Sequence, residues 1–172
     1  MLLAQHDVFL RLFHDAKREA FHLEVQDTYD TPEESEPFRK FITNEHDDYE
    51  WFQPWLDHVR ETTSRGVAVL RARVVSEPHT DYTRFSKAVA RFNVEAGEDV
   101  RYLPRNLVNA DELTRDDWWL FDDTVLGFTV FEPSGRWAGA AVTTDPHIVE
   151  YAREVKERVW GKAIPLKDYA DQ

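Results

Sequence analysis

Apolar and polar positions along this chain follow two periods, and the switches between them mark its elements. From Val67 to Val75 apolar residues alternate with Arg71 and Arg73, and Val67, Val69, Val74 and Val75 are β-branched, which predicts a strand. Ser76-Glu77-Pro78 breaks the pattern, because proline cannot donate to a ladder and pushes the residue before it out of helical geometry. Thr80 and Asp81 can then cap a helix running from Asp81 to about Phe92. A strand therefore ends, turns through polar residues and enters a helix, and ligands of α/β sheets often sit at such carboxyl ends.

The rest of the chain divides in the same way. Asp7 to Lys17 has the helical spacing of Val8, Leu12 and Phe13. Glu19 to Val25 alternates Phe21, Leu23 and Val25 with His22 and Glu24, the pattern of a half-buried strand. Asp27 to Pro37 is acidic, contains Pro32 and Pro37, and reads as a surface loop, followed by a short helix from Glu36 to Thr43. After an acidic loop, Trp51 to Arg65 forms a helix with Trp55, Leu56 and Val59 as its stripe and Gly66 at its C-cap. Asn93 to Asp99 reads as a turn, Val100 to Leu103 as a short strand, and Arg105 to Asp116 carries no clear element. Trp118 to Phe121, Thr124 to Phe131 and Trp137 to Thr143 read as three antiparallel strands. A last helix opens with Asp145 as cap and Pro146 at its first position, with Ile148, Tyr151, Ala152, Val155 and Val159 as its stripe.

This order predicts a mixed α/β (α+β) fold: one domain over residues 1–172, with a mixed central sheet and flanking helices. The stretch from Val67 to Leu103 is expected to be a right-handed crossover.

Composition narrows the chemistry. The chain has no cysteine, which removes disulfides and thiol catalysis. No apolar run reaches membrane-spanning length, and acids appear too early in MLLAQHDVFLRLFHD for a signal peptide, so a cytoplasmic protein that does not engage a membrane is expected. The net charge of -12 argues against direct binding of nucleic acid. Residues 65–105 depart from this, with eight Arg or Lys against five Asp or Glu. That segment is either a solvated face or a site for an anionic ligand or acidic partner.

No metal or cofactor site is expected. The histidines His6, His14, His22, His46, His58, His79 and His147 form no helical i, i+4 pair, and no glycine-rich phosphate loop occurs. Asp116, Asp117, Asp122 and Asp123 read as turn and edge residues; same-face partners are six residues apart, roughly 20 Å along an extended strand. A trio of Ser76, His79 and Asp81 lacks the Gly-x-Ser-x-Gly elbow, and no catalytic residue is assigned.

The arginines carry more. Arg71 and Arg73 share a strand face, and Arg101 comes from a strand expected beside it, which would gather three guanidiniums that must meet carboxylates or an anion. Local acids such as Glu77, Asp81, Glu98 and Asp99 could satisfy them. Ser76, Glu77, Asp81 and Tyr82 are expected to cluster at the strand's end with Arg101 and Arg105. Trp118 and Trp119 point to opposite faces, so one is expected in the core and the other, if exposed, would be an interface anchor.

Three segments carry a resemblance: RVVSEPHTDYTRF (Arg73 to Phe85), NVEAGEDVRYLPR (Asn93 to Arg105) and WWLFDD (Trp118 to Asp123). They resemble a family of uncharacterised actinobacterial proteins, and the likeness extends over nearly the whole chain. Members are often encoded beside helix-turn-helix regulators, which implies a regulatory role. His79 stands where the family leads one to expect leucine. The element order is also similar to a phospholipase-D-like half, but that superfamily's His-x-Lys pair is missing before the long antiparallel strands, where Asp-Asp-Trp-Trp stands. The likeness would imply a binding derivative without hydrolase chemistry.

The function expected from these readings is a non-enzymatic regulatory or protein-interaction module with a protein partner such as a helix-turn-helix regulator. The alternatives are a sensor of an anionic small molecule, served by the arginines, and an enzyme with an unrecognised site.

Overall fold

The computed structural model describes residues 7–170; Met1 to His6, including the histidine named above, lie outside the described residues. Alternation of apolar with polar or charged residues builds the strands at the centre. β1 (Glu19–Glu24), β2 (Ala68–Val75) and β3 (Asp99–Pro104) run parallel and adjacent, with Phe21 opposite Leu70 and Ala72 opposite Arg101. β4 (Asp117–Phe121) lies antiparallel on the other side of β1, and β5 (Val125–Phe131) and β6 (Trp137–Thr143) continue outward as hairpins. A two-residue β7 (Ile164–Pro165) closes the far edge against β3. The mixed sheet has the order β6-β5-β4-β1-β2-β3-β7.

Five α-helices are described: α1 (Asp7–Asp15), α2 (Pro32–Ile42), α3 (Gln53–Ser64), α4 (Asp81–Glu95) and α5 (Pro146–Lys162). α5 covers one sheet face, where Val149, Ala152, Val155 and Val159 pack on Phe21, Leu23, Trp118 and Leu120. α1 and α3 cover the other, with Phe13 and Ala16 on Val69, Trp119 and Phe121, and Leu56 and Val59 against Ala96 at the end of α4. The parallel connections β1–β2 and β2–β3 pass through α2–α3 and α4, so β1 and β2 lie under helices rather than at an edge.

The mixed single-domain fold is the one the pattern predicts, and it departs from that prediction locally. Residues 27–37 are not all loop. α2 begins at Pro32, which lacks only an N–H that a first turn leaves unused, and the ring of Pro37 is buried inside it. α4 runs through Asn93 to Glu95 and ends in a Schellman turn, with Glu98 N–H bonded to Asn93 O and Gly97 N–H to Val94 O, Gly97 at φ +106°. The stripe of α5 keeps Ala152, Val155 and Val159, but Val149 joins it in place of Ile148 and Tyr151, which are 42% and 45% exposed. The segment after β3 contains two short 3₁₀ turns, Arg105–Leu107 and Ala110–Glu112. β1 is not half-buried: His22 is 6% exposed, so its polar face is covered as well.

Candidate functional site

Beneath α3 and α4, the sheet carries charge where a core would carry hydrocarbon. His22 and Glu24 on β1, Arg71 and Arg73 on β2, and Asp117 and Trp119 on β4 share this face and form the floor of a cleft of about 530 Å³. Trp51, Phe52 and Trp55 form one wall, from the start of α3 and the turn before it. Tyr82, Phe85 and Val89 form another, from successive turns of α4. Tyr29, Phe131 and Trp137 close a third side, and Glu33 and Glu34 of α2 stand at the rim.

The floor's charges are matched pair by pair. Arg71 donates from Nε to Glu98 Oε1 at 2.5 Å and from its terminal nitrogen to Glu24. Arg73 donates from Nε to Glu24 Oε2 at 2.6 Å, and to Ser86 O and Tyr102 Oη at 3.1 Å each. Glu98 is delivered by the Schellman turn and also accepts from Asn93 Nδ2 at 2.6 Å. The guanidinium of Arg71 lies 5.6 Å from the centroids of both Trp55 and Trp119, and His22 stacks on Trp119 at 4.2 Å. Burial would push the Glu24 carboxyl up, but Arg73 and Arg71 outweigh it and hold Glu24 well below the usual carboxylate range. Burial lowers the His22 imidazole, so His22 is neutral at pH 7, and its Nδ1 is buried with no hydrogen-bond partner among the described residues.

Two carboxylates of the cleft have no such cation among the described residues. Asp117 accepts from Val25 N–H at 2.7 Å and from Tyr29 Oη at 2.5 Å. Burial and the nearby Glu24 push it up to about 7, against those two hydrogen bonds. Glu34 accepts from Tyr82 Oη at 2.5 Å and Thr31 Oγ1 at 3.0 Å. Burial and the carboxylate beside each phenol raise both Tyr29 and Tyr82 above the ordinary tyrosine range.

Of the residues singled out in the sequence, Arg71, Arg73, Tyr82 and Trp119 line the cleft. Six do not. Arg101 is in register with Ala72, one residue out of phase with Arg71 and Arg73, so it emerges on the opposite face. There it lies 3.9 Å over the Trp160 ring and pairs with Asp99 at 2.9 Å, and the expected cluster of three guanidiniums does not form. Ser76 bonds to Asp27 through N–H and Oγ, and Arg105 reaches Val25 O at 2.7 Å, Val74 O at 3.1 Å and Asp27 at 3.2 Å, tying the ends of β1 and β2 together. Glu77 accepts from Tyr169 Oη at 2.6 Å, and His79 Nε2 meets the same hydroxyl at 2.7 Å. Asp81 pairs with Arg84 on the surface. Trp118 and Trp119 do take opposite faces, but both are buried, at 0% and 6% exposure, so neither is an exposed interface anchor. Trp118 belongs to the α5 core and donates to Thr114 Oγ1.

Sequence reasoning passed over His22, Glu24, Tyr29, Glu34 and Asp117. Asp117 is an interior strand residue at 2% exposure, not a turn or edge residue. Asp122 and Asp123 do form a turn, both at positive φ, with Asp122 accepting from the N–H groups of Lys17, Arg18 and Glu19. Among the described residues no three His, Asp or Glu side chains are grouped to hold a metal ion, and no helix is long and apolar enough to cross a membrane.

Residues 7–171 match the family described as "Domain of unknown function (DUF6879)". The chain belongs to that family. An uncharacterised family is what the three resembling segments imply. No curated protein matches this member of it. A solved structure of TrmBL2, an archaeal chromatin protein described as showing a novel mode of DNA binding, is similar to it at 14% identity and a TM-score of 0.49. The match covers 95% of this chain, which spans about half (52%) of that one, and it carries no argument about function. Neither the strand order nor these comparisons confirm a phospholipase-D-like half.

Proposed function

We propose that this chain is a ligand-responsive regulatory module: a small molecule enters the aromatic cleft, and its occupancy alters contact with a protein partner such as a helix-turn-helix regulator. The observation that carries the reading is the cleft itself, about 530 Å³ within aromatic walls above a pre-paired polar floor. That volume and lining fall in the range of small-molecule sites. The floor's strongest polar groups are spent on one another, which suits holding a ligand more than attacking one. The segments that resemble actinobacterial proteins encoded beside regulators favour a regulatory setting.

Four of the six tryptophans, Trp51, Trp55, Trp119 and Trp137, line the cleft, so a ligand reports on itself through intrinsic fluorescence. Titration with a metabolite library spanning cations, anions and neutral compounds is expected to yield members that change this fluorescence and raise the melting temperature together. Trp119→Ala is expected to abolish both responses. A library in which no compound does either at millimolar concentration overturns the proposal.

A further inference from the structure

We infer that the cleft's ligand is an organic cation, an amine or quaternary ammonium carried on a flat or compact apolar body. This rests on the reading of the cleft as a ligand site and names the chemistry it takes.

The inference starts from which charges remain once the floor is paired. Arg71 and Arg73 are opposed by Glu24 and Glu98, so these four side chains sum to no net charge. Nε and one terminal nitrogen of each arginine are engaged: Arg71 by both carboxylates, Arg73 by Glu24, Ser86 O and Tyr102 Oη. An incoming carboxylate or phosphate would meet a floor whose charge is already balanced, and would compete there with Glu24 and Glu98 for the same two guanidiniums. The anionic ligand expected from a three-arginine cluster loses its basis with Arg101 on the other face.

What is left over is acidic, with Asp117 carrying its full charge only above about pH 7. Glu34 and Asp117 line the cleft with hydroxyl and backbone partners but, among the described residues, no paired cation, and Glu33 stands beside Glu34 at the rim. Their tyrosine partners bring the rings with them. Tyr29 and Tyr82 lie 5.4 Å apart between centroids, and Phe131 is 5.5 Å from Tyr29. Each phenol donates a hydrogen bond to a carboxylate, which fixes the ring in the lining of the cleft. Aromatic faces beside uncompensated carboxylates attract ammonium groups, and the attraction grows as water is excluded. The indole walls of Trp51 and Trp55 can cover the apolar body.

Phenethylamine, phenethyl alcohol and hydrocinnamate share a phenyl body and differ in the charge of the head group. Measured by tryptophan fluorescence and isothermal calorimetry, the amine is expected to bind at least about tenfold more tightly than the other two. Glu34→Gln keeps an acceptor for Tyr82 and removes the charge, and is expected to weaken the amine roughly tenfold while leaving the alcohol unchanged. Asp117→Asn is the second variant, measured at about pH 8 where the parent carboxyl is ionised, with the same expectation for the amine and the alcohol. A lysine peptide serves as the macromolecular arm; tighter binding of the peptide than of free amines would overturn a small-molecule ligand. Equal or tighter binding of the alcohol or carboxylate, or silence of the amine at millimolar concentration, overturns the inference. The charge-spanning library separates the two failures: anionic or neutral hits sink the inference alone, and no hits sink the binding reading with it.

Discussion

Glu24 and Asp117 are carboxylates on one sheet face; burial raises both, and their neighbours send them in opposite directions. Glu24 has two guanidiniums and stays ionised; Asp117 has none among the described residues and is pushed up to about 7. The native state therefore binds one more proton than the unfolded chain between the ordinary value of 3.8 and about 7, and stability must fall as pH rises across that window. Asp117→Asn removes this dependence. By denaturant titration the variant is expected to gain on the parent by roughly 2 kcal/mol between about pH 5.5 and about pH 8. Parallel curves would mean that Asp117 titrates normally. Arg105 is a structural counterpart at the strand ends. Its bonds to Val25 O, Val74 O and Asp27 predict that Arg105→Ala costs about 1–3 kcal/mol of stability, discounted for its partly exposed side chain, and leaves ligand affinity in the cleft unchanged. Weakened binding at full stability would restore that strand end as a functional edge.

Among the elements, α4 decides the shape of the cleft, because Tyr82, Phe85 and Val89 reach it from one helix. The helix is started by Thr80, whose Oγ1 accepts from Thr83 N–H at 3.0 Å and donates to Asp27 O at 2.7 Å. Thr80→Ala removes both bonds, and a loss of about 1 kcal/mol is expected in chemical denaturation. A smaller midpoint shift than Thr83→Ala gives would argue that the cap is dispensable. The β2–turn–α4–β3 unit was legible because its signals are local: β-branched alternation, a proline break, a cap. The cleft was less so. Alternation shows that His22 and Glu24 face away from Phe21 and Leu23, but not whether that side meets solvent or a neighbouring strand's arginines. The side on which Arg101 emerges depends on the β2–β3 register, which places it beside Ala72 and is set by the length of α4 and its terminal turn. Asp117 differs from Asp116 only by lying inside β4 rather than before it, and strand ends are the least certain part of any pattern. Ile148 and Tyr151 fit a helical stripe as well as Val149 does, and only docking on the sheet chooses between them.

At the scale of the whole molecule the charges divide by depth. The mildly basic segment 65–105 supplies Arg71 and Arg73, whose charge is consumed in buried pairs, while Arg101 and Arg105 are held by Asp99 and Asp27. Little of its positive charge is left to form a patch, and the net charge of -12 dominates the outside. Binding to a DNA backbone depends on lysines and arginines that displace condensed counterions, so this field opposes association at any sequence. The isolated chain is expected not to retard duplex DNA in gel shift or anisotropy at about 150 mM salt, and to stay unbound when salt is lowered several-fold. A regulatory role would then have to pass through a protein that does hold DNA. Salt-sensitive binding by this chain alone would overturn the charge argument, and would place a basic surface where these ion pairs leave none.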